Sequence, residues 1–265
     1  MEFEKLKKIE DEFERIAATY EIFEEDSRLN WSQSARVEFL TTVRYIEKYL
    51  RPGMKILDIG AGAGEYSLYF AEKDFEVNAL ELSDTNIKAF RKKLKDDINL
   101  NLIQGNAIDL SMYGNESFDI VLLFGPLYHL SREEDRQKCI SEAKRVLKED
   151  GILFFSFISN DMVILTEFKY RKNFFLEETY DHDTFKVNDF PFVFFTLDQC
   201  RSMLKSAEID VIAEVASDGV SELMQDEVNA LDEVSYAQYL KYHYYTCEKP
   251  EMLGRSNHLL FIGKK

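Results

Sequence analysis

One stretch constrains this 265-residue chain more than any other: Lys55-Ile-Leu-Asp-Ile-Gly-Ala-Gly-Ala-Gly-Glu-Tyr-Ser-Leu-Tyr-Phe-Ala71. The branched apolar residues Ile56, Leu57 and Ile59 predict a short buried strand. Gly60, Gly62 and Gly64 then alternate with alanines, and Tyr66, Leu68, Tyr69 and Phe70 continue at helical spacing. A strand that breaks into glycines and re-forms as a helix leaves bare backbone above its end, because glycine accepts positive φ and carries no Cβ to hold a ligand off. In open α/β sheets that crevice is where ligands bind.

The ligand class follows from what the loop lacks. Dinucleotide sites use G-x-G-x-x-G, with a pyrophosphate on the helix N-terminus. Here the spacing is G-x-G-x-G, and Glu65 at the helix start would repel a pyrophosphate. Glu81 ends the next apolar run, 21 residues beyond Gly60, where a carboxylate can accept from both ribose hydroxyls. The pattern points to an adenosine-bearing ligand without pyrophosphate.

With those residues in view, the chain resembles the class I S-adenosylmethionine-dependent methyltransferases, nearest in character to the bacterial enzymes acting on small molecules. Ile56 to Gly64 looks like their first motif, Leu80-Glu-Leu82 like their ribose-binding acidic position, and Arg145 to Gly151 like their late motif. The resemblance covers residues 35 to 160 and the last strand. It implies S-adenosyl-L-methionine as cofactor and S-adenosyl-L-homocysteine as product, with Asp58, Gly60, Ala61 and Gly62 at the methionine part and Glu81 and Leu82 at the ribose. Asn106 and Ala107 stand where related enzymes often use an Asp for the adenine amino group. An amide oxygen can do the same as a neutral acceptor, and Asn after Gly105 also suits a plain turn.

Net charge is −16, and no basic stripe is visible to replace the counterions of a nucleic acid. No run approaches the ~18 apolar residues of a membrane span. The N-terminus lacks the basic-then-apolar order of a signal peptide. Cys139, Cys200 and Cys247 show neither C-x-x-C nor metal spacing, as expected of thiols in a reducing compartment. These features predict a cytoplasmic protein with no membrane or nucleic-acid partner and no bound metal.

Along the chain, Phe3 to Tyr20 and Ser34 to Leu50 predict two helices ahead of the first strand. The resemblance makes them a cover over the cofactor, with Tyr20 and Arg28 between them able to reach its carboxylate. Strands follow at Phe75 to Leu80, Ile98 to Gln104, Phe118 to Phe124, Ile152 to Ile158, Val211 to Val215 and His258 to Ile262. Ser83, Ser131 with Glu134, and Thr196 with Gln199 are set to cap helices. The fold class expected is α/β: a Rossmann-like, seven-stranded, mostly parallel sheet with helices on both faces and a helical, aromatic cap. By resemblance the last strand is antiparallel beside the fifth. We read one domain: a helical cap over 1–50, a cofactor core over 51–158, cap insertions at 159–195 and 218–256, and core completion by 196–217 and 257–265.

The resemblance implies that the substrate lies after the fourth strand, at Gly125-Pro-Leu-Tyr-His-Leu130. Phe124 and Gly125 can lie along the cofactor. Tyr128 and His129 can point into the acceptor pocket, and His129 is the candidate base because its ordinary pKa lies near operating pH. A histidine bonded as scaffold fits the same position equally. Exocyclic-amine methyltransferases of nucleic acids commonly carry Asn/Asp-Pro-Pro-Tyr/Phe here, unlike this chain. The expected reaction is in-line methyl transfer to a small molecule. A non-catalytic binder of the same cofactor is the alternative, and a nicotinamide oxidoreductase is disfavoured by the glycine spacing.

Overall fold

The strand predicted before the glycines is β1 (Lys55–Ile59), with four of its five residues buried. The structure is a computed structural model describing residues 3–23 and 25–265, without the side chains of residues 3 and 4. Residues 1, 2 and 24, and the Phe3 side chain, which the N-terminal readings include, lie outside that description. Around β1 run β2 (Glu76–Glu81), β3 (Leu100–Gln104), β4 (Phe118–Leu123), β5 (Leu147–Ile158), β6 (Asp210–Ala216) and β7 (His258–Lys264). They form one sheet in the order β3-β2-β1-β4-β5-β7-β6. The first five strands are parallel, whereas β7 is antiparallel to both β5 and β6.

The helices are α1 (Phe3–Leu6), α2 (Glu12–Thr19), α3 (Gln33–Glu47), α4 (Glu65–Ala71), α5 (Asp84–Lys93) and α6 (Pro126–His129), then α7 (Glu133–Val146) and α8 (Asn160–Tyr170). After them come α9 (Leu197–Ser206), α10 (Gln225–Asn229), α11 (Glu233–Thr246) and α12 (Pro250–Leu253). Right-handed crossovers put the helices after β1 and β2 on one face and those after β4 on the other, because strand order reverses between β1 and β4. Strands covered on both faces read as unbroken apolar runs. Accordingly Ile56, Leu57, Ile120, Val121, Leu153 and Phe154 are all buried in the main core.

Several boundaries differ from expectation. The first helix breaks at residues 7–11, where the Asp11 carboxylate accepts from the Glu14 N–H and starts α2 afresh. The Ser131–Glu134 capping box does not form. Ser131 gives both its N–H and its hydroxyl to the buried Glu12 carboxylate, and Arg132 caps α7 without a side-chain bond. The Thr196–Gln199 box does form, and Ser83 caps α5. Residues 159–195 hold α8 and a small aromatic cluster in which Ile164, Phe174, Tyr180 and Val187 are buried together. Among the described residues no helix is long and apolar enough to cross a membrane. All three cysteines are free and buried.

Candidate active site

The reversal of strand order places the ends of β1 and β4 side by side, and the two bends above them face each other. Gly60 leaves β1 with φ +77°, and a Cβ there would stand 2.7 Å from the Pro126 ring. Only glycine fits that approach. Gly125, at φ +127°, opens α6 from the β4 side. The glycine bend is tied to β2: Gly60 and Ala61 donate their N–H groups to the Leu80 carbonyl, and Gly62 donates to Oε2 of Glu81 at 2.8 Å. Oε1 of Glu81 accepts from the Ser83 N–H at 2.8 Å and from the Asn86 amide. The carboxylate is thereby fixed although it is buried. Burial raises its pKa, against the lowering by those hydrogen bonds.

Two adjoining clefts meet at Gly60 and Tyr20. The first, about 50 Å³, runs along Glu81 and Leu82 to Gly105, Asn106 and Ala107, with Phe13, Ile16, Pro126 and Leu130 as apolar walls. The second, about 30 Å³, lies over Asp58 and residues 60–66, against Arg28, Phe124 and Tyr128. α2 and the arm after it wall both: Phe13, Ile16 and Tyr20 line the first, and Tyr20, Glu25, Arg28 and Leu29 the second. Glu25 lines the second cleft, and its Cγ would lie 3.1 Å from a Cβ on Gly62.

Asp58 sits beneath the bend. One of its oxygens accepts from the Ser67 hydroxyl at 2.7 Å, and the other is buried without a partner among the described residues. Burial, with the nearby Glu81 charge, raises its pKa to about 7 despite the Ser67 bond. Arg28 is engaged by Glu25 at 3.0 Å and by Glu38 at 2.8 Å. Glu65 pairs with Lys93 at 2.8 Å, so its charge is held at the start of α4. Oδ1 of Asn106 accepts from the Ile108 N–H at 3.2 Å, so Asn106 shapes the turn and lines the first cleft at once.

His129 and Tyr128 are both buried. Nε2 of His129 is 2.7 Å from the Tyr20 hydroxyl, and its ring packs edge-on against Phe192. Burial, helped by the Arg28 charge, lowers the His129 pKa to about 3, so the ring is neutral at working pH. A general base works best with a pKa near operating pH, and this one lies well below it. The geometry fits the scaffold alternative. Tyr128 is a neutral phenol, its pKa raised by burial.

Buried carboxylates beside bare backbone fit a cationic nucleoside. Residues 57–155 match the family described as a methyltransferase domain. Those residues form a methyltransferase domain like that of the class I S-adenosylmethionine-dependent enzymes. It is 27% identical over 152 residues to a glycine/sarcosine N-methyltransferase of Aphanothece halophytica, covering 57% of each chain. It is 31% identical over 143 residues to the ubiquinone/menaquinone biosynthesis C-methyltransferase UbiE of Shewanella piezotolerans, covering 52% of this chain and 51% of that one. The chain thus spans little more than half the length of these curated relatives. A solved Thermotoga maritima methyltransferase, described as a possible histamine N-methyltransferase, superposes with TM-score 0.59 at 18% identity, over 94% of this chain and 99% of that one. At that identity the likeness speaks for the fold alone.

For a class I methyltransferase the cofactor is S-adenosylmethionine, and the cradle suits it. The unpartnered Asp58 oxygen and the Glu81 carboxylate are acceptors for a ligand rich in N–H and O–H groups. The cleft walls Phe13, Ile16 and Leu130 were not singled out as site residues in the sequence. Phe13 and Ile16 share helical spacing with Tyr20, and that shared face was the available signal.

Proposed function

We infer that the chain transfers a methyl group from S-adenosylmethionine to a small-molecule acceptor, catalysed mainly by positioning and desolvation. The observation that carries this reading is the Glu81–Gly62 contact, which sets a fixed carboxylate beside bare backbone at the switch point of the sheet. When bound, S-adenosylmethionine supplies an electrophilic methyl on a sulfonium, lost in line to an attacking lone pair while the C–S electrons stay on sulfur as S-adenosylhomocysteine. The residues of the chain align and dry the site. Glu81 accepts from the ribose hydroxyls, Asp58 lies below the methionine part, and Phe13, Ile16 and Leu130 wall the base. Phe124, Tyr66 and Tyr128 exclude water beside the bend. Good alignment of reactants supplies on the order of 7–11 kcal/mol. Tyr20 and His129 act as a neutral brace between the arm and the loop after β4.

A small acceptor is supported by the acidic surface, which disfavours polyanions, and by the named activities of the relatives. Those names include transfer to nitrogen and to carbon, so they do not choose the acceptor atom. The test is to incubate the chain with S-adenosylmethionine and a library of small amines, phenols, thiols and activated carbon acids, with mass detection. Acceptor-dependent methylation with S-adenosylhomocysteine release is expected. Binding of S-adenosylhomocysteine with no turnover across the library would instead favour the non-catalytic reading.

A further inference from the structure

A third cavity, of about 250 Å³, opens at the same edge of the sheet as the glycine bend. β6 runs parallel to β5, so Asp218 just after β6 and His258 at the start of β7 come to the edge where β1 and β4 end. Arg28 lines both this cavity and the cleft over Gly62, so the two share a wall. Three carboxylates, Glu38, Asp218 and Glu222, line it against two cations, Arg28 and His258. Arg28 is already shared with Glu25 outside the cavity, which leaves an excess of negative charge.

The cavity also holds an unanswered polar atom. Ser221 is fully buried and lines the cavity, and its hydroxyl has no hydrogen-bond partner among the described residues. A buried hydroxyl left unpaired is destabilising, and a ligand that bonded it would recover that loss. Trp31, 61% exposed, supplies an aromatic face. Such a face attracts cations. Glu222 is held by Asn257 through Oε2, and its pKa is raised by burial and by Asp218.

We propose that this cavity binds the ammonium group of a small organic amine and so anchors the acceptor of the enzyme, the methyl going to another atom of that molecule because an ammonium nitrogen has no lone pair. The assignment to an acceptor rests on the methyltransferase reading; the binding of an ammonium group does not. Glu222 and the Ser221 hydroxyl receive the N–H donors, and Trp31 covers the alkyl or aryl remainder. Glu38, Asp218 and His258 place ligand atoms within 4.8 Å of one another, so a divalent metal is the competing occupant. The amine is favoured because the Asp218 oxygens are already bound by Ser256 and by the backbone and ring of His258.

The experiment titrates the whole chain with 2-phenylethylamine and 1,4-diaminobutane by calorimetry, with and without S-adenosylhomocysteine, using 2-phenylethanol as the neutral control. Zinc and manganese chlorides are titrated in parallel. Saturable amine binding is expected. Glu222→Gln should weaken it at least about tenfold and Ser221→Ala several-fold, as for lost charged and neutral hydrogen bonds. S-adenosylhomocysteine affinity, which serves as the check on folding, should hold in both variants. Equal binding of the alcohol, or amine binding that neither variant weakens, overturns the proposal. So does tight metal binding that displaces amines and is lost in His258→Ala. Amine binding in this cavity without any S-adenosylhomocysteine binding would keep the ammonium site and sink the methyltransferase reading instead.

Discussion

The hydroxyl of Tyr20 and Nε2 of His129 stand 2.7 Å apart, joining the arm after α2 to the segment after β4. Nδ1 of the same ring is buried without a partner among the described residues, so this bond and the packing on Phe192 hold the imidazole in place. Replacing either residue alone by Phe leaves a buried polar group orphaned and should cost about 1–3 kcal/mol. The double variant should cost less than the sum of the two, by about 0.5–3 kcal/mol. Urea unfolding of the four proteins checks this; additive losses would show that the contact carries no energy.

Glu81 has a different task. Glu81→Gln keeps the shape and removes the charge, so one of the Gly62 and Ser83 N–H groups loses its acceptor. S-adenosylhomocysteine affinity should fall about 10- to 100-fold, the worth of hydrogen bonds to a charged group. Calorimetry reads the change, and unfolding should show a destabilisation of about 1–3 kcal/mol. An unchanged affinity would remove Glu81 from the site.

Glu25 should oppose ligand binding. It rests over Gly62 and holds Nε of Arg28 at 3.0 Å. Glu25→Ala frees the bend and the Nε edge of the guanidinium for the ligand's carboxylate, while Glu38 keeps its hold on Nη1. S-adenosylhomocysteine should bind more tightly, by up to about fivefold if the released pair is worth under 1 kcal/mol. Weaker binding in this variant would mean that Glu25 positions Arg28 for the ligand.

Much of this site was legible from local pattern. Gly60, Gly62, Glu81, Asn106, Ala107 and Gly125 all line the clefts because strand ends and their bends are short-range features. The antiparallel β7 beside β5 followed from the family resemblance, whereas the full order of the strands came from the structure. What the sequence hid was set by distant partners. Nothing local shows that Ser131 abandons its helix for Glu12, or that His129 is buried against Phe192 and so loses its basicity. The acidic cavity joins Glu38 to Asp218, Glu222 and His258 across most of the chain. Charges scattered at that separation carry no periodic signal.

His258 makes stability depend on pH with a sign of its own. Burial and Arg28 lower its pKa, but Glu38 at 3.4 Å and Asp218 at 2.8 Å outweigh them and raise it to about 9. A group raised on folding stabilises fully below its unfolded pKa of about 6.5, and that share is lost as pH rises through about 9. Thermal unfolding should therefore show His258→Gln well below wild type at pH 6, with the gap closing toward pH 9.5 (roughly the end of that titration). His129 and His243, lowered by burial to about 3 and about 4, act oppositely and remove stability as pH falls below about 6.5. A gap for His258→Gln that widens with rising pH would refute the ion-pair assignment.

The central claim is that the bare bend at residues 60–64 and the Glu81 carboxylate hold an activated-methyl nucleoside. Calorimetric titration of the wild-type chain with S-adenosylhomocysteine, and separately with NAD, tests it most directly. The account predicts one saturable site for S-adenosylhomocysteine, weakened by Glu81→Gln, and no comparable site for NAD. Saturable binding of NAD with none of S-adenosylhomocysteine would contradict it.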